Sequence, residues 1–140
     1  LQRAEIDMPL FFRRLADVSP GAPAAKPLGD AFYDAAKQVE HTDALAAWLQ
    51  RWAGRVRADN EPDTVRQTRM NAVNPCYVPR NYLTQEAIDH AEQGDAAGIH
   101  ELLDVLRQPY RDQPGKERFA AKRPAWARNR PGCSMLSCSS

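Results

Sequence analysis

The sequence is short of large apolar side chains. Leu, Ile, Val and Phe together supply 25 of its 140 residues, a share typical of chains that do not fold when their net charge is also high. Here the formal net charge is only +1, and the apolar residues are grouped along the chain. We therefore expect a partly autonomous helical body that relies on a further surface outside the chain to complete its packing.

The chain also lacks the signals of membrane and secreted proteins. No apolar run approaches the roughly 18 to 20 residues that span a bilayer, and the segment after Leu1 does not resemble a signal peptide. Three cysteines, Cys76, Cys133 and Cys138, are too few and odd in number for a secreted disulfide framework. We expect a cytoplasmic protein without membrane contacts.

Apolar residues recur at helical spacing in two clear stripes, and no segment alternates with a period of two. Proline and glycine predict where further helices begin and end: from Pro62 to about Val73, from about Arg80 to Gln93, and from an N-cap at Asp95 to before Pro109. The sequence therefore predicts an all-α fold. The stripes are Met8, Phe11, Phe12, Leu15 and Val18, and Leu45, Trp48, Leu49, Trp52 and Val56.

Two changes in composition divide the chain. Residues 20–29 carry three prolines and two glycines, which favours a linker and a boundary near residue 25. Residues 111–130 hold seven basic side chains against two acidic ones, and prolines at 114, 124 and 131 interrupt the tail. We expect segments 1–24, 25–108 and 109–140, the last an irregular basic tail that Phe119 and Trp126 attach to a neighbouring surface.

A dense polar block runs from Arg69 to Leu83, between two predicted helices. Asparagine side chains hydrogen-bond exposed main-chain groups at helix ends, and an arginine can hold a carboxylate with two parallel bonds. We interpret the block as a structural corner, with a substrate or nucleotide contact from Arg69 or Arg80 as the alternative. The corner residues are Asn71, Asn74, Pro75, Arg80 and Asn81.

Two other kinds of site are weakly supported. Cys133 and Cys138 with His90 or His100 match the spacing of no common zinc module, so we assign no metal ligand. The basic tail could meet nucleic acid, but the chain is nearly neutral and has no recognisable binding motif, so we expect no nucleic-acid partner.

Several short motifs in one order resemble the C-terminal part of the selenoprotein O family. The likeness runs from about Asp7 to Ser140, and departs from the family's pattern at Cys76 and Pro79. The motifs are Met70-Asn71-x-Val73-Asn74-Pro75-x-Tyr77-Val78-x-Arg80-Asn81-Tyr82-Leu83, then Ala87-Ile88, Ala91 and Gly94-Asp95, then Pro109-Tyr110, Pro124-x-Trp126-Ala127 and Ser137-Cys138-Ser139-Ser140.

The resemblance implies a parent enzyme that transfers AMP from ATP to Ser, Thr or Tyr hydroxyls of protein substrates. It also implies a protein-kinase-like fold that binds ATP and Mg²⁺ or Mn²⁺ outside this segment. The segment itself would be a helical support for this intramolecular kinase-like core. We assign no catalytic, cofactor-binding or metal residue here, because the seven glycines form no phosphate-binding loop and no Asp-Phe-Gly or His-Arg-Asp segment occurs. Segment 1–24 would be the end of the preceding kinase-like region.

The resemblance gives the C-terminal thiols a possible role. Cys138 stands where some family members carry selenocysteine, which implies a reversible disulfide with a cysteine of the kinase-like core; pairing with Cys133, or no role, stays open. The alternative to the enzyme is a non-catalytic helical module that binds another protein. The resemblance and composition favour a bacterial cytoplasm, or a mitochondrion if the source is eukaryotic.

Overall fold

The computed structural model describes residues 2–133, and over this range the chain is all-α, as predicted. No strand occurs in the range; an isolated antiparallel bridge pairs Ile6 with Phe32. The chain forms two compact units, unit 1 (Leu1–Cys76) and unit 2 (Tyr77–Ser140). None of the helices between residues 2 and 133 combines the length and the apolar character that a membrane crossing needs.

Unit 1 contains four α-helices and two short 3₁₀ turns. Asp7 caps the first helix by accepting a hydrogen bond from the Leu10 main-chain N–H at 3.1 Å, and Pro9 occupies its first turn. The extended residue before Pro75 ends the last helix, as predicted. The helices are α1 (Met8–Leu15), α2 (Ala35–Glu40), α3 (Thr42–Ala58) and α4 (Asp63–Val73), and the 3₁₀ turns are Gln2–Ala4 and Lys26–Ala31.

The core of unit 1 combines the two predicted stripes with the loop between them. Phe11 and Leu15 of α1 pack with Leu28 and with Leu49 of α3, and the Phe11 and Trp48 rings lie 5.8 Å apart. Residues on both sides of the expected boundary near 25 therefore share one core. The assignment of 1–24 to a preceding region stays a prediction.

Two details of the stripes differ from the expectation. Met8 lies in the first turn of α1 and is 58% exposed, so the buried stripe begins at Phe11. The predicted pattern also did not single out Arg66 of α4, which is 1% exposed. Its guanidinium donates to the Val18 carbonyl at 3.1 Å and lies 5.4 Å from the centre of the Trp52 ring, so a charged group closes this side of the core.

Unit 2 is built on an antiparallel hairpin of α5 (Asn81–Glu92) and α6 (Ala97–Leu106). Gly94 has a φ of 90° and ends α5 as the left-handed cap that the sequence predicts. The N-cap of α6 is Ala96 and not Asp95, but the Asp95 carboxylate still accepts from the Ala97 N–H at 2.9 Å. A Cβ at Gly98 would lie 3.6 Å from the Ala87 main chain, an ordinary van der Waals contact, so Gly98 and Ala87 face each other across the hairpin.

The tail after α6 is more ordered than the expected irregular segment. It contains α7 (Glu117–Ala120) and a 3₁₀ turn, Ala125–Arg128, and it buries Phe119 and Ala127. The Trp126 ring meets the Tyr82 ring edge to face at 6.3 Å. Ion pairs add to these contacts: Lys116 bonds Glu101 at 2.7 Å, and Arg118 lies 3.8 Å from Glu86 and 3.5 Å from Glu101.

Replacing Leu49 by alanine should destabilise unit 1. Leu49 is 1% exposed at the centre of the core, and truncating such a leucine costs about 2–5 kcal/mol. Urea unfolding followed by the fluorescence of Trp48 and Trp52 measures the loss. Val39→Ala is the control, because Val39 is 76% exposed and should change the free energy of unfolding by no more than about 0.5 kcal/mol. Equal effects of the two substitutions would contradict the described core.

Candidate functional site

The polar block divides between the two units, and its first half lies at the end of α4. Arg13 of α1 donates from Nη1 to the main-chain carbonyls of Asn71, at 3.1 Å, and Asn74, at 3.3 Å. The last carbonyls of a helix have no partner within it and carry partial negative charge, so a cation here is favourable. Arg13 therefore joins the C-terminus of α4 to α1.

The two asparagines take part in this corner through their main chains. The Asn74 N–H donates to Met70 at 2.9 Å and closes the last turn of α4, and Pro75 follows. The side-chain oxygen of Asn71 is buried and has no hydrogen-bond partner within residues 2–133. The predicted use of the asparagine side chains stays a prediction.

The second half of the block fastens the start of α5 to the tail. Arg80 precedes the helix in extended conformation and donates from Nη2 to the Ala120 carbonyl at 3.4 Å; Asn81 is the first residue of α5. The Tyr82 hydroxyl donates to the Ala121 carbonyl at 3.1 Å. The Tyr77 hydroxyl accepts from the Gln113 N–H at 2.9 Å. These contacts favour a structural role for this half of the block.

Pro79 fits the local geometry although it departs from the family's pattern. The Arg80 N–H donates to the Val78 carbonyl at 2.8 Å, which closes a three-residue turn centred on Pro79. This turn uses no main-chain donor from its central residue, so proline costs it no hydrogen bond.

Arg69, the other candidate for a substrate contact, is engaged with Glu61. Its Nε lies 3.1 Å from Glu61 Oε1 and its Nη2 lies 2.6 Å from Oε2, a two-bond geometry. The hydrogen bond from Arg69 lowers the pKa of the Glu61 carboxyl, and the same bond raises the pKa of Arg69. A carboxylate on the substrate would have to displace Glu61 to bind here.

The thiols differ in what surrounds them. Cys133 is a free cysteine, 3% exposed, and its N–H donates to the Arg130 carbonyl at 3.1 Å. Cys138, the predicted redox residue, lies outside the described residues. Gly132, beside Cys133, has a φ of 79°, a conformation that favours glycine. A Cβ there would also force the end of the Gln85 side chain of α5 to move.

An ion pair holds this part of the tail on α5. Arg130 bonds the Asp89 carboxylate, which also accepts from Gln85 Nε2 at 2.9 Å. The hydrogen bond from Gln85, followed by the one from Arg130, lowers the pKa of Asp89 below its ordinary value of 3.8. Cys133 is thus buried three residues beyond a charged anchor.

The placement of possible metal ligands and a shallow cavity bear on ligand binding in the described range. No group of three His, Cys, Asp or Glu side chains within residues 2–133 is placed to hold a metal ion. A shallow cavity of about 320 Å³ in unit 1 offers one arginine, Arg57, which already donates to the Pro20 carbonyl at 2.6 Å. The cavity is lined by Pro20, Val56, Arg57, Asn60, Glu61 and Pro62.

Sequence patterns did not identify Arg13, Asp89 or Arg130 as important. Arg13 lies 58 positions from Asn71, and Arg130 lies 41 positions from Asp89, so neither contact is visible in local spacing. Arg130 was recognisable only as part of the basic tail.

Substituting Asp89 by asparagine should lower stability in a pH-dependent way. Because folding lowers the pKa of Asp89, the ionised carboxylate stabilises the folded state above 3.8, and this contribution is lost as the pH falls through the lowered pKa. The thermal midpoint of the wild type should exceed that of Asp89→Asn at neutral pH, and the difference should shrink as the pH falls below 3.8 and through the lowered pKa of Asp89. Asp104→Asn, at an exposed pair, is the control. A difference independent of pH would argue against the ion pair.

Comparison with known proteins identifies relatives along the whole chain. No protein-family model matches it. Curated proteins named "Protein nucleotidyltransferase YdiU" do match over all 140 residues: at 59% identity from Xanthomonas campestris pv. campestris, 57% from Aromatoleum aromaticum and 54% from Xanthomonas oryzae pv. oryzae. The chain spans 27% of the length of each of these relatives.

The similarity covers every segment of the chain, including both halves of the polar block and the tail. The chain therefore belongs to the selenoprotein O family and corresponds to a C-terminal portion of its members.

Proposed function

We propose that this chain is the C-terminal part of a protein adenylyltransferase that transfers AMP from ATP to Ser, Thr or Tyr hydroxyls of protein substrates. The observation that carries the proposal is the identity of 54–59%, over all 140 residues, to bacterial proteins named protein nucleotidyltransferases. The finer assignment to adenylyl transfer rests on the family resemblance of the motifs around Asn71, Arg80 and Cys138.

The chemistry would be carried by the part of the parent outside this chain. Nucleotidyl transfer requires donors that hold phosphates and ligands for a divalent metal, and no group of three His, Cys, Asp or Glu side chains within residues 2–133 is placed to hold such an ion. ATP and Mg²⁺ or Mn²⁺ would bind to a kinase-like core, and this chain would support that core. The arginines that bind main-chain carbonyls, Arg13 and Arg80, support such a scaffold role.

Transfer of label from ATP tests the activity. The parent protein, incubated with Mg²⁺ or Mn²⁺ and a protein acceptor, should attach label from ATP carrying it on the α-phosphate and none from ATP carrying it on the γ-phosphate. This outcome follows because adenylyl transfer retains the α-phosphorus and releases pyrophosphate. Chelation of the metal should abolish the signal.

The other outcomes of the labelling experiment distinguish adenylyl transfer from its alternatives. Label from the γ-phosphate would indicate phosphoryl transfer and contradict the proposal. Label from the α-phosphate of a different nucleoside triphosphate would retain nucleotidyl transfer but contradict the assignment to AMP. No label under any condition would favour the alternative, a helical module that binds a protein partner without chemistry.

We further propose that Cys138 forms a reversible disulfide with a cysteine of the parent's core and so regulates activity. The burial of Cys133 supports this choice between the two tail thiols, because a thiol that is 3% exposed reacts slowly with an external partner. Formation of the disulfide releases two protons and two electrons, which an oxidant such as a low-molecular-weight disulfide would accept.

Two serine substitutions separate the thiols. In the oxidised parent, Cys138→Ser should abolish the disulfide and the redox dependence of transfer, whereas Cys133→Ser should retain both. Peptide mapping under non-reducing conditions identifies the pair, and activity with and without reductant measures its effect. If Cys138 remains a free thiol in the oxidised parent, the regulatory proposal is wrong.

A further inference from the structure

The α5–α6 hairpin has two flanks, and the tail lies along one of them. Arg118 reaches both helices from this side, because it lies 3.8 Å from Glu86 of α5 and 3.5 Å from Glu101 of α6. Tyr82 and Asp89 of α5 meet the tail on the same flank, through Trp126 and Arg130. We call this side the tail flank.

Helical periodicity places a different set of residues on the other side. The interface between the helices is marked by Ala87 and Gly98, whose packing is close. With 100° per residue, Ile88 lies about 160° from Glu86 around the α5 axis, and Leu103 lies about 160° from Glu101 around α6. Because Arg118 fixes Glu86 and Glu101 to one flank, these apolar residues share the opposite one.

This opposite flank is apolar and open. Ile88, Ile99 and Leu103 are 41%, 42% and 46% exposed, although each has the character of a core residue. The nearest charges on α6 do not alter its character, because Asp104 and Arg107 pair with each other at 2.8 Å. We call Ile88, Ile99 and Leu103 the open flank; it offers a contact of apolar chemistry, with the exposed Glu92 of α5 at its edge, four residues after Ile88.

We propose that the open flank docks on the part of the parent polypeptide outside this chain, through an apolar surface of that part. The inference rests on the proposed function, which makes this chain the support of a larger core. The relatives are long enough to supply the surface, because this chain covers only 27% of their length. The described part of the tail lies on the tail flank, where ion pairs hold it to Glu86, Glu101 and Asp89.

The small area of the flank favours this occupant over a second copy of the chain. Three side chains that are each less than half exposed present on the order of 200 Å², whereas a stable interface between separate proteins buries about 800 Å² on each partner. Within one polypeptide the two surfaces have a high effective concentration, so a small apolar contact suffices.

The first test places a charge on the open flank of the parent protein. Leu103→Glu should lower the thermal midpoint by at least about 2 °C more than Ala97→Glu, because it would bury a carboxylate in the docked interface. Ala97 is exposed on the same helix and lies about 120° from Leu103 around its axis, so the control introduces the same side chain away from the open flank. Equal midpoints for the two variants would overturn the proposal.

The second test needs no substitution. Hydroxyl-radical footprinting of the wild-type parent compares Leu103 with its neighbour Leu102, which is 8% exposed. If the flank is docked, the two leucines should be oxidised at similar slow rates. If Leu103 reacts several-fold faster, as its exposure in this chain predicts, the flank is open in the parent and the proposal fails.

The remaining outcomes separate this proposal from its rivals and from the proposed function. Protection of Leu103 that appears only as the parent associates, with a mass that rises with concentration, would identify a second copy as the occupant and overturn the proposal. Protection in a monomeric parent that transfers no label would support the docking and contradict the enzymatic proposal. Label transfer by a parent in which Leu103 is unprotected would support the enzymatic proposal and contradict the docking.

Discussion

Arginine side chains that bind main-chain carbonyls hold this structure together. Arg13, Arg57 and Arg66 do so in unit 1, and Arg80 does so in unit 2. Each bond joins residues at least 37 positions apart, at a loop or at a helix end where carbonyls lack partners within the helix. A chain with only 25 large aliphatic and phenylalanine residues can in this way order loops that its apolar core is too small to cover.

This use of arginine also decides how the polar block is interpreted. An arginine that contacts a substrate needs donors that are accessible, but Arg69 is bonded twice to Glu61, and Arg80 reaches a carbonyl of the tail. The Arg69 contact lies within unit 1 and the Arg80 contact within unit 2, and each stabilises the local fold of its unit. They favour the structural corner over the substrate contact, and they agree with the proposal that the reaction takes place in another part of the parent.

Local sequence patterns predicted these helices, because apolar spacing, proline and glycine act on helices through residues that are close in sequence. The spacing of Trp48, Leu49 and Trp52 gave α3, Pro75 gave the end of α4, and Gly94 gave the turn between α5 and α6. The long-range polar contacts could not be found in this way. Nothing near Arg13 or Arg66 in the sequence indicates that one would bind the end of α4 and the other would be buried.

The tail shows the same limit, because its packing depends on distant partners that its proline content does not indicate. Phe119 is buried although α7 spans only four residues, which is far too short to be stable by itself. The positive charges of the tail are partly used in bonds to Glu101 and Asp89. Composition therefore showed that the tail is basic but could not indicate which acidic residues it meets.

The anchored tail limits what Cys138 can reach. Cys133 is buried beside the Asp89–Arg130 pair, and a chain of five residues extends at most about 17–18 Å. A disulfide adds about 6 Å between α-carbons, so any partner of Cys138 must lie within roughly 24 Å of Cys133 while the anchor holds. A core cysteine could meet this limit only if docking brings it close to unit 2.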